Sequence, residues 1–127
     1  MAYVRTRLGR WFYEERGTAK REGDPPIVLL HGLLFDGGMW RKQVEPLTAL
    51  GRVILIDGPG HGKSESPPRF SLEDHADALA IDAFGELKIP RAILVGHFVT
   101  SMLDISGVAP TDTMNCPPWD SLYRSII

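Results

Sequence analysis

Cysteine is nearly absent: Cys116 is the only one, so no intrachain disulfide can form and nothing points to an oxidising compartment. Long apolar runs are missing too. No window approaches the roughly 18 continuous apolar residues of a membrane span. The opening Met1-Ala2-Tyr3-Val4-Arg5-Thr6-Arg7 is broken by arginines and has no apolar centre like that of a signal peptide. An excess of either charge is missing as well: 14 Lys and Arg stand against 16 Asp and Glu. A formal net charge of -2 speaks against a nucleic-acid or membrane-surface role. There is no internal repeat and no low-complexity run. What remains is ordinary: 127 residues, one domain at most, with 43% apolar residues to build a core. The expectation is a soluble, cytoplasmic domain.

Alternation marks Tyr3–Leu8 and Trp11–Glu15 as two strands of a hairpin, with Gly9-Arg10 as the turn. Thr18–Pro26 is a polar, Gly/Pro-punctuated connection. Three short apolar runs without alternation follow: Ile27-Val28-Leu29-Leu30, Val53-Ile54-Leu55-Ile56 and Ala92-Ile93-Leu94-Val95. Each reads as a strand covered on both faces. Between the first two, Met39–Leu50 spaces Trp40, Val44, Leu47 and Leu50 at helical intervals, with Pro46 as an interruption. Between the second and third, Ser71 offers an N-cap, and Glu73 and Asp74 load the first turn. Leu72, Ala76, Leu79, Ala83 and Leu87 then mark one face of a helix ending near Lys88, and Pro90 stops the chain before the next strand. The order hairpin, strand, helix, strand, helix, strand predicts an α/β fold with a mostly parallel sheet and an entry hairpin. Ligands of such sheets bind beyond the carboxyl ends of the strands. The candidate chemistry therefore lies in three loops: His31–Gly38, Asp57–Ser64 and Gly96–Thr100.

These loops carry a resemblance. Val28-Leu29-Leu30-His31-Gly32 resembles the His-Gly oxyanion loop of the α/β-hydrolase family. Asp57-Gly58-Pro59-Gly60-His61-Gly62-Lys63-Ser64 resembles its Asp-x-x-Gly-x-Gly-x-Ser stretch, and Ile89–His97 the approach to the nucleophile elbow, Gly-x-Ser-x-Gly. Three motifs in the family's order cover about residues 3–97. The resemblance implies an ester- or acyl-cleaving parent activity through a Ser-His-acid triad, a small ester-like substrate and no cofactor. It places the oxyanion amides at Leu33 and at Val99, the residue after the nucleophile position. His31, Gly32, Asp57, Gly60, Gly62, Ser64, Gly96 and His97 become motif-supporting residues.

At the elbow the chain departs from the family. Phe98 stands where the serine belongs and Thr100 where the second glycine belongs. No histidine follows His97, and Asp104, Asp112 and Asp120 have no further sheet to place them. Ser101 as a displaced nucleophile would sit about a turn inside a helix, away from the elbow. The expectation is an incomplete hydrolase-like fold over 1–100. The tail, 101–127, lacks family resemblance and reads as disordered, or as the mark of an altered frame, alternative terminus or truncated gene product. Such a chain is inactive by itself and is expected to self-associate through an exposed Ala92–Val95 edge. The alternatives are a non-catalytic binding protein that reuses the fold, and half of a hydrolase completed by another chain.

Two rival motifs fail on the residues. Gly62-Lys63-Ser64 ends like a phosphate-binding loop, but Asp57 occupies the first glycine position, and Glu65-Ser66-Pro67-Pro68 follows where a helix should start. His31, His61, His75 and His97 lack zinc-type spacing, and His75 is expected on the helix surface.

Overall fold

A computed structural model describes residues 2–32 and 35–97. The tail 101–127, and with it Ser101, lies outside the described residues, as do Leu33, Phe98, Val99 and Thr100.

Strands β1 (Ala2–Thr6) and β2 (Gly9–Arg16) form the hairpin, paired from Ala2↔Tyr13 to Thr6↔Gly9. The turn is Arg7-Leu8, two residues earlier than alternation suggests. Gly9 adopts φ 111°, a backbone state side chains rarely enter, and so closes the turn as the first residue of β2. Leu8 is buried although it is a turn residue. β3 (Ile27–Leu30) and β4 (Val53–Ile56) fall where the apolar runs predict, buried at every position. β5 is Ile93–Gly96, one residue later than read from the sequence.

The sheet order is β1-β2-β4-β3-β5. β3 pairs in parallel with both β4 and β5, while β2 runs antiparallel to β1 and β4. Only β2 opposes the others, so the sheet is mixed with a parallel centre. The chain steps one way from β3 to β4 and back across β3 to β5. Opposite steps put the connecting helices on opposite faces.

On one face lies α1 (Arg41–Thr48), entered through a 3₁₀ turn at Gly37–Trp40. Trp40, Val44 and Leu47 pack on Ile27, Leu29, Val53 and Leu55. Leu50 falls beyond the helix and is 69% exposed. Pro46 sits inside α1.

The opposite face holds α2 (Leu72–Asp77), a π-helical stretch (Ala78–Ala83) and α3 (Phe84–Glu86) in continuous succession. Ser71 caps the start: its hydroxyl accepts the Asp74 amide at 3.0 Å, and Asp74 accepts the Ser71 amide at 2.9 Å. At the other end Lys88 takes φ 55°. Its amide donates to Gly85 O, and that of Ile89 to Phe84 O. Phe84 and Ile89 then meet in the core, which makes this a Schellman stop with lysine in the usual glycine place. The π stretch has a consequence for charge. Positions five apart on an α-helix diverge by about 140°, yet Arg7 reaches both Asp77 (2.8 Å) and Asp82 (2.9 Å). The widened turn brings the two carboxylates to one side, where they grip the hairpin turn.

The larger core joins Val4, Leu8, Trp11, Val28, Leu30, Ile54 and Ile56 to Ala78, Leu79, Ala83, Phe84 and Ile89. The buried helix face begins at His75 and Ala76 and keeps Ala76, Leu79 and Ala83 of the stripe read from sequence, with Leu87 packed against the core; only Leu72 departs from it. Leu72, in the first turn, is 44% exposed. His75 is not a surface residue: it is 7% exposed, with its ring 5.4 Å from Trp11 and 6.2 Å from Phe70. Among the described residues no helix is long and apolar enough to cross a membrane.

Burial, reinforced by the positive charge that His31 and His61 would carry, pushes the pKa of His75 from 6.5 to about 4. The unfolded chain takes up a proton near pH 6.5 that the folded chain refuses until about pH 4. Stability is therefore whole above 6.5 and falls as the pH drops through that window, by about 3 kcal/mol at its lower end. Chemical denaturation of wild type and His75→Phe across this range should give a falling midpoint for the first and a much flatter one for the second. Equal acid sensitivity in both would contradict the assignment.

Candidate functional site

The register fixes where the loops emerge. Leu30 pairs with both Ile56 and Gly96, so the next residues, His31, Asp57 and His97, leave the sheet at one level. His97 extends the ladder by donating its amide to Leu30 O at 3.1 Å. The structure thus brings His31, Gly32, Asp57, Gly96 and His97 together at the carboxyl edge.

His31 is 2% exposed. Its Nε2 accepts the Gly58 amide at 2.7 Å, and its Nδ1 lies 2.8 Å from Gly32 O. An accepting Nε2 fixes the proton on Nδ1, so the ring is neutral. Burial comes first among the influences that lower its pKa. The Gly32 carbonyl, Asp57 and Asp36 act the other way, and His61 adds to the lowering. The His61 ring stands 5.1 Å away, with its Nδ1 2.9 Å from Pro59 O.

Gly32 is a close-approach glycine. A Cβ there would come within 2.5 Å of His97 Nδ1, so the first loop can rest against the third only without a side chain. The Phe35 amide turns back to Gly32 O at 3.2 Å, and the Phe35 ring meets His97 edge-on at 6.2 Å.

Asp57 ties the first and second loops together. Oδ1 accepts the Gly37 amide at 2.8 Å and Oδ2 the Lys63 amide at 3.0 Å. Its carbonyl accepts the Ser64 hydroxyl at 2.7 Å, while Ser64 Oγ accepts the Phe12 amide at 2.8 Å. One serine therefore closes the loop on its own start and fastens it to β2. Gly62 takes φ 53°, and a Cβ on it would collide with the Asp57 carboxylate. Gly60 takes φ 72°. The spacing of Asp57, Gly60, Gly62 and Ser64 is that of a folded loop whose carboxylate is filled by backbone amides, Lys63 of its own loop and Gly37 of the first.

The sequence pattern missed three contributors. Asp36 caps the 3₁₀ turn by accepting the Gly38 amide at 2.7 Å. Glu65 pairs with Arg10 through side chain and backbone, at 2.8 Å for the ion pair. His75 could have been found from its spacing: it lies four residues before Leu79 and next to Ala76, on the buried face.

Among the described residues no group of three or more His, Cys, Asp or Glu side chains is placed to hold a metal ion. No helix starts at Lys63-Ser64; the next begins at Leu72. A trough of about 610 Å³ runs between β2 and α1, from Asp57, Gly62 and Lys63 to Gly17 and Thr48. His31, Gly32 and His97 do not line it, and its walls mix Glu14, Arg16, Arg41 and Glu45 over Phe12 and Leu55. It lies beside the carboxyl edge, not over it.

Residues 27–97 match the model of the alpha/beta hydrolase family, and the chain belongs to that family. It is 36% identical over 111 residues to a Pseudomonas putida protein named as the dihydrolipoyllysine-residue acetyltransferase component of an acetoin cleaving system, covering 86% of this chain and 29% of that one. It is 35% identical over 101 residues to bifunctional epoxide hydrolase 2 of Rattus norvegicus, covering 75% and 17%. Its fold superimposes on the enol-lactonase of Burkholderia xenovorans LB400 with TM-score 0.70 and 30% identity, over 80% of this chain and 39% of that one. An N-acyl homoserine lactone degrading enzyme, Est816, gives TM-score 0.69 and 32% identity, covering 80% and 38%. The chain thus spans well under half the length of these relatives.

Proposed function

We propose that residues 1–100 form the N-terminal part of a hydrolase domain whose parent reaction is cleavage of ester or similar acyl bonds, and that the 127-residue chain alone does not perform it. The observation that carries this reading is the shared level of His31, Asp57 and His97 at the carboxyl edge, followed at once in the sequence by Phe98. Covalent hydrolysis needs a nucleophilic side chain there, a serine hydroxyl in the Gly-x-Ser-x-Gly pattern, and phenylalanine has no lone pair to attack with. The described loops supply a frame, with Leu33 and Val99 as the proposed oxyanion amides. The substrate is a small ester-like molecule in the complete relative. A cytoplasmic setting and the absence of nucleic-acid partners follow from composition alone and stand as part of the same proposal.

Hydrolysis of p-nitrophenyl acetate by wild type, Phe98→Ser and Phe98→Ser/Thr100→Gly tests the reading. All three should remain near the heat-killed control, because triad members act as a unit and no histidine follows position 97 to serve a restored serine. Multi-turnover hydrolysis by the wild-type chain would overturn it.

The edge strand favours self-association. β5 pairs only with β3 among the described residues, and its four residues are exposed or half-buried where β3 and β4 are buried throughout. Apolar edges of this kind template pairing with another chain. Sizing chromatography should show species larger than a monomer, shifted toward monomer by Leu94→Lys. A sharp wild-type monomer peak would contradict the proposal, whereas one-to-one capture of a chain bearing the missing histidine would favour a hydrolase completed in trans.

A further inference from the structure

Three histidines converge beneath the second loop, and the hydrolase reading gives none of them a chemical step. His31 and His61 stand with ring centroids 5.1 Å apart. His75 reaches the same place from α2: a Cβ on Gly58 would lie 3.4 Å from His31 Nε2 and 3.7 Å from His75 Cε1. At the centre is a hydrogen bond between loops far apart in sequence, from the Gly58 amide to His31 Nε2.

We propose that His31 is an acid-opened latch: its neutral ring holds the start of the second loop, at Gly58, against the first loop, and protonation at Nε2 releases it there. The chemistry is a change of hydrogen-bonding type. With its proton on Nδ1, toward Gly32 O, the neutral ring offers Nε2 as an acceptor. A second proton can bind only at Nε2, where it would face the Gly58 amide hydrogen at donor-to-donor distance. The bond then becomes a repulsion, and the amide must move or turn to water.

The surroundings tune the latch. Asp57 and Asp36, from the second loop and from the residue before the 3₁₀ turn, favour the charged ring; His61 opposes it. His75 faces the cluster from the helix, and His97 stands against Gly32 from the end of β5. Burial outweighs the two carboxylates and lowers the pKa of His31 below 6.5, so the latch is shut at neutral pH and opens on the acid side. The rest of the loop has independent ties, through Asp57 to Lys63 and to Gly37 of the first loop, and through Ser64 to β2. Opening is therefore confined to the stretch around Gly58–His61, and the sheet persists. The proposal does not rest on the hydrolase reading, since it concerns a hydrogen bond inside the described frame.

Hydrogen-exchange mass spectrometry of the full chain, with exchange times corrected for the intrinsic pH dependence, tests it from about pH 7.5 down to about pH 4. Exchange at the histidine C2 positions in the same samples gives the titration of His31. In wild type and in His75→Phe, protection of peptides spanning 57–62 should fall roughly tenfold, the effect of losing one hydrogen bond. The midpoint should coincide with the His31 titration, while peptides spanning 27–30 and 53–56 stay protected. His31→Gln, whose amide oxygen accepts at every pH, should show no step. A step that persists in His31→Gln overturns the latch. So does a flat wild-type profile through the His31 titration, or parallel loss in the strand peptides in both wild type and His75→Phe, which is whole-chain acid unfolding. Should His31→Gln not fold, coincidence or divergence of the two wild-type midpoints decides the matter. Failure of the esterase prediction would leave these outcomes unchanged.

Discussion

β3 is the constraint on which the rest depends. Its four residues are buried, Val28 and Leu30 toward the succession from α2 to α3 and Ile27 and Leu29 toward α1. Its backbone is consumed on both sides by parallel ladders to β4 and β5. A strand so placed has no freedom to slip, because a shift of one residue would exchange its two faces. Fully burying each such side chain is worth about 1.5–3 kcal/mol relative to exposure. The first polar residue after it, His31, must therefore emerge beside Asp57 and His97. The grouping at the carboxyl edge is a result of sheet register more than of any attraction among those residues.

Once brought together, the loops hold each other through backbone amides. Asp57 spends both carboxylate oxygens on amides from two loops, Ser64 spends its hydroxyl in both directions, and His31 takes the Gly58 amide. A carboxylate and a histidine satisfied in this way position loops. They are poor candidates for general acid or base work, which needs a group within reach of a substrate proton. Gly32 and Gly62 are required for close approach, one to His97 and one to Asp57. The described parts of the frame are thus accounted for without a reaction.

Much of this was legible in the residues. Unalternating runs of four apolar side chains gave β3 and β4 to the residue, because burial on both faces removes any need for polar positions. Ser71 and Asp74 announced the helix start, and the three loop motifs announced the family. What misled was local pattern overridden by packing. Alternation in Tyr3–Leu8 ran into the turn because Leu8 is buried there by tertiary contact. Leu72 lies on the helical stripe traced through Ala76 but is 44% exposed, whereas Leu79 and Ala83 of the same stripe are buried even across the π stretch. His75 was assigned to the surface by its polarity, although its ring is packed between Trp11 and Phe70. β5 matches β3 in composition but not in burial, because its outer side has no strand beside it among the described residues.

The central claim is that a hydrolase frame is assembled here while the position after His97 carries no nucleophile. Intact-mass spectrometry after treatment with a fluorophosphonate serine probe addresses it most directly, because the covalent adduct reports an activated serine whatever the substrate. The account predicts an unmodified mass for the full chain, identical to a heat-denatured control. One equivalent of adduct on the native chain only, mapped to Ser101 or any other serine, would contradict it.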